Sequence, residues 1–70
     1  MTTTQRNLLE FVNEQALKYD ELRHQIYNAY DLFRMEIEDE GASVAHEADL
    51  CVGDILQLID EYETNTTTNR

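Results

Sequence analysis

Tyr19-Asp20-Glu21-Leu22-Arg23-His24-Gln25-Ile26-Tyr27-Asn28-Ala29-Tyr30-Asp31-Leu32-Phe33-Arg34-Met35-Glu36-Ile37 is the stretch whose pattern decides the fold. Its apolar residues Tyr19, Leu22, Ile26, Ala29, Tyr30, Phe33 and Ile37 advance by three and four, the spacing that gathers side chains on one face of an α-helix. Followed backwards, the stripe continues through Gln15, Val12 and Leu8, close to a heptad beat. The chain has no proline, and its two glycines lie beyond this segment. One continuous helix over residues 5–40 is therefore expected, roughly 35 residues and about 53 Å long. The softest place is Leu17 to Asp20, where Asp20 can cap a new helix. A split there gives a three-helix bundle, and with no breaker residue the continuous helix is preferred.

Going forward, Asp39-Glu40-Gly41-Ala42-Ser43 supplies a stop and a restart. Gly41 can take the left-handed conformation at a helix C-cap, and Ser43 can cap the next helix. A turn over 41–43 forces antiparallel neighbours. A second stripe, Val44, Ala48, Cys51, Ile55, Leu58 and Tyr62, flanked by Val52 and Ile59, marks a helix over 44–63, with Ala48 and Cys51 facing Tyr30 and Phe33. The expected fold class is all-α: an antiparallel helical hairpin of a long helix, a short turn and a shorter helix. Residues 1–4 are expected to be a flexible N-terminus in which a threonine caps the first helix, and 64–70 a disordered polar tail.

The two expected helices differ in length, and the difference carries a consequence. Laid back from Gly41, the second reaches only to about residue 20 of the first. Leu8, Leu9, Phe11, Val12 and Ala16 are then left without intrachain cover, although burying a Leu, Phe or Val side chain is worth roughly 1.5–3 kcal/mol. A second copy covering Leu8, Phe11, Val12, Ala16 and Tyr19 is the default expectation, giving a homodimeric helical bundle.

Fifteen acidic residues against five basic ones give a formal charge of −10. Such a field opposes direct contact with nucleic acid or with an anionic membrane surface. The expected partner is a protein with a basic surface, such as a nuclease or another nucleic-acid-binding protein. The acids expected to meet it are Glu36, Glu38, Asp39 and Glu40 beside the turn, with Asp49 and Asp54 on the second helix. The type resembles phage or mobile-element proteins that block host nucleases by mimicking nucleic-acid charge, of the anti-CRISPR or anti-restriction kind. The alternative is a structural or adaptor coiled-coil module whose acids only keep it soluble.

No catalytic, cofactor or metal constellation emerges, and no enzymatic activity is expected. Glu21 and His24 have the spacing of a di-iron bundle motif, but that spacing occurs once and on a face turned from the stripe. His24 lies four residues after Asp20, within reach of a surface hydrogen bond. Cys51 sits on a stripe and is read as a small buried thiol, while His46 projects elsewhere. With one cysteine there is no intrachain disulfide. With neither an apolar leader nor a membrane-length apolar run, the expected location is the cytoplasm, that of a host if a phage encodes the chain. Asn65-Thr66-Thr67 matches a glycosylation sequon by chance.

Tyr19, Tyr30 and Tyr62 lie on stripes, whereas Tyr27, Leu17, Leu32, Leu50 and Leu56 fall partly or wholly outside them and suggest a second contact face. Gly53, inside the second helix, is either a tolerated imperfection or a place where a partner backbone comes close. The run Ile55-Leu56-Gln57-Leu58-Ile59-Asp60-Glu61-Tyr62 resembles the second helix of small sporulation-regulatory phosphatases, themselves helical hairpins. Their Ser-Gln-Glu-Leu-Asp motif falls here on Val52, Gly53, Asp54, Ile55 and Leu56, so the resemblance implies a hairpin and no phosphatase chemistry.

Overall fold

Thr2 opens the first helix with a capping box: its hydroxyl accepts the Gln5 amide at 3.1 Å, and the Gln5 side chain accepts the Thr2 amide at 2.8 Å. Two of the amides that a helix start leaves without partners are thereby satisfied. In a computed structural model, which describes residues 2–39 and 43–68, three α-helices follow: α1 (Thr3–Lys18), α2 (Arg23–Asp39) and α3 (Val44–Thr68). A single turn of 3₁₀ helix, Asp20–Leu22, joins α1 to α2. Among the described residues there is no strand.

The expected continuous helix over 5–40 is therefore corrected to two helices that fold back on each other. The break falls inside the segment Leu17 to Asp20, but Asp20 does not cap it. Tyr19 leaves helical geometry at φ −116°, ψ 77°, and no side chain caps the turn that follows. The junction loses little, because the Tyr19 amide still donates to the Gln15 carbonyl at 2.8 Å and the Leu22 amide to the Tyr19 carbonyl at 2.9 Å. The gain is larger. Folding back buries Leu8, Val12 and Ala16 within the same chain, several kcal/mol of apolar transfer against a few backbone hydrogen bonds worth about 1 kcal/mol each. Tertiary packing overrides local helical continuity.

The premise for a second copy changes with it. Leu8, Val12 and Ala16 are core residues of the monomer, and Leu9, Phe11 and Tyr19 pack partly buried against that core. The uncovered N-terminal half does not exist, so it supplies no reason for dimerisation.

The core forms where the three stripes meet. It takes Leu8, Val12 and Ala16 from α1, Leu22 from the turn, Ile26, Tyr30 and Phe33 from α2, and Ala48, Cys51, Ile55 and Ile59 from α3. Val12, Ile26 and Ile55, one from each helix, are the largest fully enclosed side chains and mark its centre. α1 and α3 run parallel, with α2 antiparallel to both. Leu8 and Ala48 line one hollow near the starts of α1 and α3, while Tyr19 stacks edge-on against Tyr62 near their far ends, ring centres 6.0 Å apart. The molecule measures 45 × 19 × 16 Å.

Ser43 caps α3 as its sequence position suggests: the His46 amide donates to its hydroxyl at 3.4 Å and the Glu47 amide to its carbonyl at 3.0 Å. The proposed C-cap Gly41 lies outside the described residues. α3 runs on to Thr68 instead of ending near Glu63. The Thr/Asn segment read as a tail thus extends the helix beyond Tyr62, the last of its side chains packed against the core.

Candidate functional site

Every described acidic side chain is exposed except Glu47, which is half-buried, and no charged side chain lies in the described core. Two ion pairs form among the described residues, Asp20 with Arg23 at 3.8 Å and Asp31 with Arg34 at 3.9 Å. Both are solvent-exposed pairs of the kind that contribute 0–1 kcal/mol. The partner that Asp20 takes is thus Arg23 rather than His24. The negative charge is left largely uncompensated by the chain itself.

Two hollows flank α3. The one between α1 and α3 is lined by Thr4, Asn7, Leu8 and Phe11 on one side and Ala48, Asp49 and Val52 on the other. The one between α2 and α3, about 160 Å³, is lined by Ala29, Leu32, Phe33 and Glu36 from α2 and by Glu47, Leu50, Cys51 and Asp54 from α3. Leu32 and Leu50 stand on the rim of the second hollow, 59% and 52% exposed. This hollow combines two exposed leucines with three carboxylates, whereas the first has one carboxylate, Asp49.

The acids singled out from the sequence are divided by the fold. Glu36 and Asp54 line the same α2/α3 hollow, as does Glu47, which the sequence pattern did not single out. Asp49 belongs to the α1/α3 hollow. Glu38 is exposed on α2, Asp39 is the last residue of that helix, and Glu40 lies outside the described residues. The signal that could have found this place was the leucines off the stripes: Leu32 and Leu50 meet at one hollow, while Leu17 and Leu56 stand elsewhere on the surface at 82% and 51% exposure.

Polar links tie the helices outside the core. Tyr19 donates its hydroxyl to a Glu63 carboxylate oxygen at 2.7 Å, which holds the phenol above its usual pKa. Tyr27 donates to the Asn13 side-chain carbonyl at 3.1 Å, pinning α2 to α1. The Cys51 thiol reaches the Ala29 carbonyl at 3.5 Å. Burial, with Asp54 nearby, pushes that thiol up to about 11, so at neutral pH it carries none of the thiolate character a nucleophile needs. Glu21, His24 and His46 are exposed. Among the described residues, no group of three or more His, Cys, Asp or Glu side chains could hold a metal ion, and no helix is long and apolar enough to cross a membrane. Comparison of the chain with known protein families, with curated proteins and with solved structures finds no match in any of the three.

Proposed function

We propose that this chain is a non-enzymatic acidic binding protein that occupies a basic surface on another protein and blocks or regulates it. The observation that carries the reading is the exposed, mostly unpaired set of described carboxylates on a small three-helix frame with no charged side chain in its described core. A charge of −10 on so small a chain attracts a cationic partner over several ångströms and steers its approach. The finer proposal is inhibition of a nucleic-acid-binding protein, in the manner of a phage or mobile-element factor that competes with nucleic acid for a basic groove. A magnitude restricts it. Over the 45 Å long axis of the molecule, duplex DNA carries about 26 charges, far more than the chain offers. Charge density alone therefore falls short of a duplex, and apolar contacts must supply part of the affinity. Leu32 and Leu50 are placed to do so, and they also keep an adaptor role in view as the second reading.

The test is competition at the captured target. Binding is expected to weaken as salt rises from 50 to about 500 mM, where the screening length shortens severalfold, and duplex DNA or RNA is expected to displace the protein. Replacing Glu36, Glu38, Asp39 and Glu40 together by Gln, Gln, Asn and Gln is expected to leave the helical circular dichroism intact and to weaken inhibition at least tenfold, about 1.4 kcal/mol. Undiminished inhibition by this folded variant would exclude the acids beside the turn, and undiminished inhibition after Glu47→Gln and Asp54→Asn are added would transfer the function to the apolar surface and favour the adaptor reading.

A further inference from the structure

The α2/α3 pair has two long faces, and α1 packs against one of them. The hollow on the other carries what a docked helix requires. Leu32 from α2 and Leu50 from α3 face it from opposite sides, each more than half exposed, and Phe33 contributes to its lining. Glu36 stands on the α2 side, with Glu47 and Asp54 on the α3 side. None of the chain's described cations lines it; Arg23 and Arg34 are engaged with Asp20 and Asp31. The α1/α3 hollow lacks this combination, having one carboxylate, Asp49, among polar and apolar neighbours.

We infer that the α2/α3 groove is the docking site for a basic amphipathic helix of the partner protein, which would lie there as α1 lies on the opposite face. The inference rests on the reading of the chain as a binder of basic protein surfaces and adds where the contact is made and by what. The occupant is identified by charge complementarity: an apolar anchor must fill the space between the two leucines, and Lys or Arg must flank it on both sides. The length fits a helix. From Glu47 to Asp54 is two turns of α3, about 10 Å, which matches anchors at i and i+3 or i+4 on an incoming helix. Packing a helix between two antiparallel neighbours repeats ordinary bundle geometry. A flexible cationic segment would satisfy the carboxylates but leave Leu32 and Leu50 in water.

The experiment uses the full chain and three fluorescein-labelled 18-residue peptides: a Leu/Lys helix with leucines at i, i+3, i+4 and i+7, a scrambled peptide of the same composition, and oligolysine. The amphipathic helix is expected to bind at least tenfold tighter than either control at 150 mM salt. Leu32→Ser or Leu50→Ser is expected to remove most of that advantage, and because both side chains are more than half exposed these variants keep the core. Leu56→Ser is the matched control and is expected to change nothing. Glu47→Gln with Asp54→Asn is expected to weaken binding and flatten its salt dependence, and amide and methyl shifts on binding are expected at Leu32 and Leu50. Equal binding of all three peptides, unaffected by Leu50→Ser, overturns the groove while leaving a charge-driven binder standing. Shifts centred on Phe11 and Val52 overturn it in favour of the other hollow. Failure of every cationic peptide to bind at low salt removes both the groove and the functional reading beneath it.

Discussion

The two hollows beside α3 are made by the same helix and differ in what each neighbour brings. On the α1 side, Leu8 is buried in the core, and the half-buried Phe11 and Val52 line the hollow beside a single carboxylate, Asp49. On the α2 side, Leu32 and Leu50 remain outside, 59% and 52% exposed, although the core beneath them is complete. A chain of 70 residues commits most of its apolar surface to its own stability, so leucine left over at a hollow edged by carboxylates differs in kind from leucine scattered singly. The comparison predicts its own largest contrast. Leu8→Ala is expected to cost about 2–4 kcal/mol, since it empties a buried site, a severe loss where total stability is about 4–10 kcal/mol for a chain this size. Leu50→Ala is expected to stay within about 0.5 kcal/mol. Urea titrations of the two variants check this, and a Leu50 variant as unstable as the Leu8 one would mean that the α2/α3 hollow belongs to the core.

What was legible in the sequence follows the same division. The stripes of α2 and α3, the Ser43 cap, the inward Cys51 and the position of the soft segment near Tyr19 all follow from spacing and side-chain chemistry. The break itself was hidden. Tyr19 to Leu22 is a step of three, which fits a continuous α-helix and a 3₁₀ turn equally well, and no glycine or proline marks the difference. What decides between them is the cover available to Leu8, Val12 and Ala16, and that exists only once three elements are assembled. The acidic face was blurred for a related reason: Asp49 and Asp54 are five apart on one helix, yet they fall to different hollows because each hollow is defined by the neighbouring helix as well as by α3.

Cys51 sits at the junction of core and groove, and its titration measures how closed the α2 side is. Burial, with Asp54 nearby, raises its folded value to about 11 from the ordinary 9.0, so the folded state holds the proton more tightly than the unfolded chain. The stabilising contribution is fully present below pH 9 and is lost as pH rises from 9 to 11. Tyr19 works in the same direction, its phenol raised by the hydrogen bond to Glu63. Denaturation midpoints are expected to be level up to about pH 8.5 and then to fall, and Cys51→Ala is expected to remove part of that fall. Slow reaction of the native thiol with iodoacetamide at pH 8 is expected alongside. An identical high-pH slope in Cys51→Ala would show the thiol to be open to water from the groove.

Gly53 provides the smallest and cleanest discrimination, because it belongs to neither hollow. It lies exposed in the middle of α3, and a Cβ built there meets nothing within 4 Å. No packing inside the chain calls for a glycine, and in a helix interior glycine is less favourable than alanine by about 1 kcal/mol, largely through the entropy of the unfolded chain. Gly53→Ala is therefore expected to stabilise the protein by about 0.5–1 kcal/mol, a rise of roughly 2–8 °C in Tm for a domain of this size. Its effect on binding is the informative part. If the partner docks in the α2/α3 groove, the added methyl stands away from it, and affinity for the amphipathic peptide is expected to be unchanged. If a partner backbone instead rests against the outer face of α3, the same methyl obstructs it, and the variant is expected to gain stability while losing affinity. Measured together on one variant, melting and binding separate a glycine kept for contact from one that is merely tolerated, and unchanged melting would indicate that α3 frays around residue 53 instead of forming the rigid wall that both hollows share.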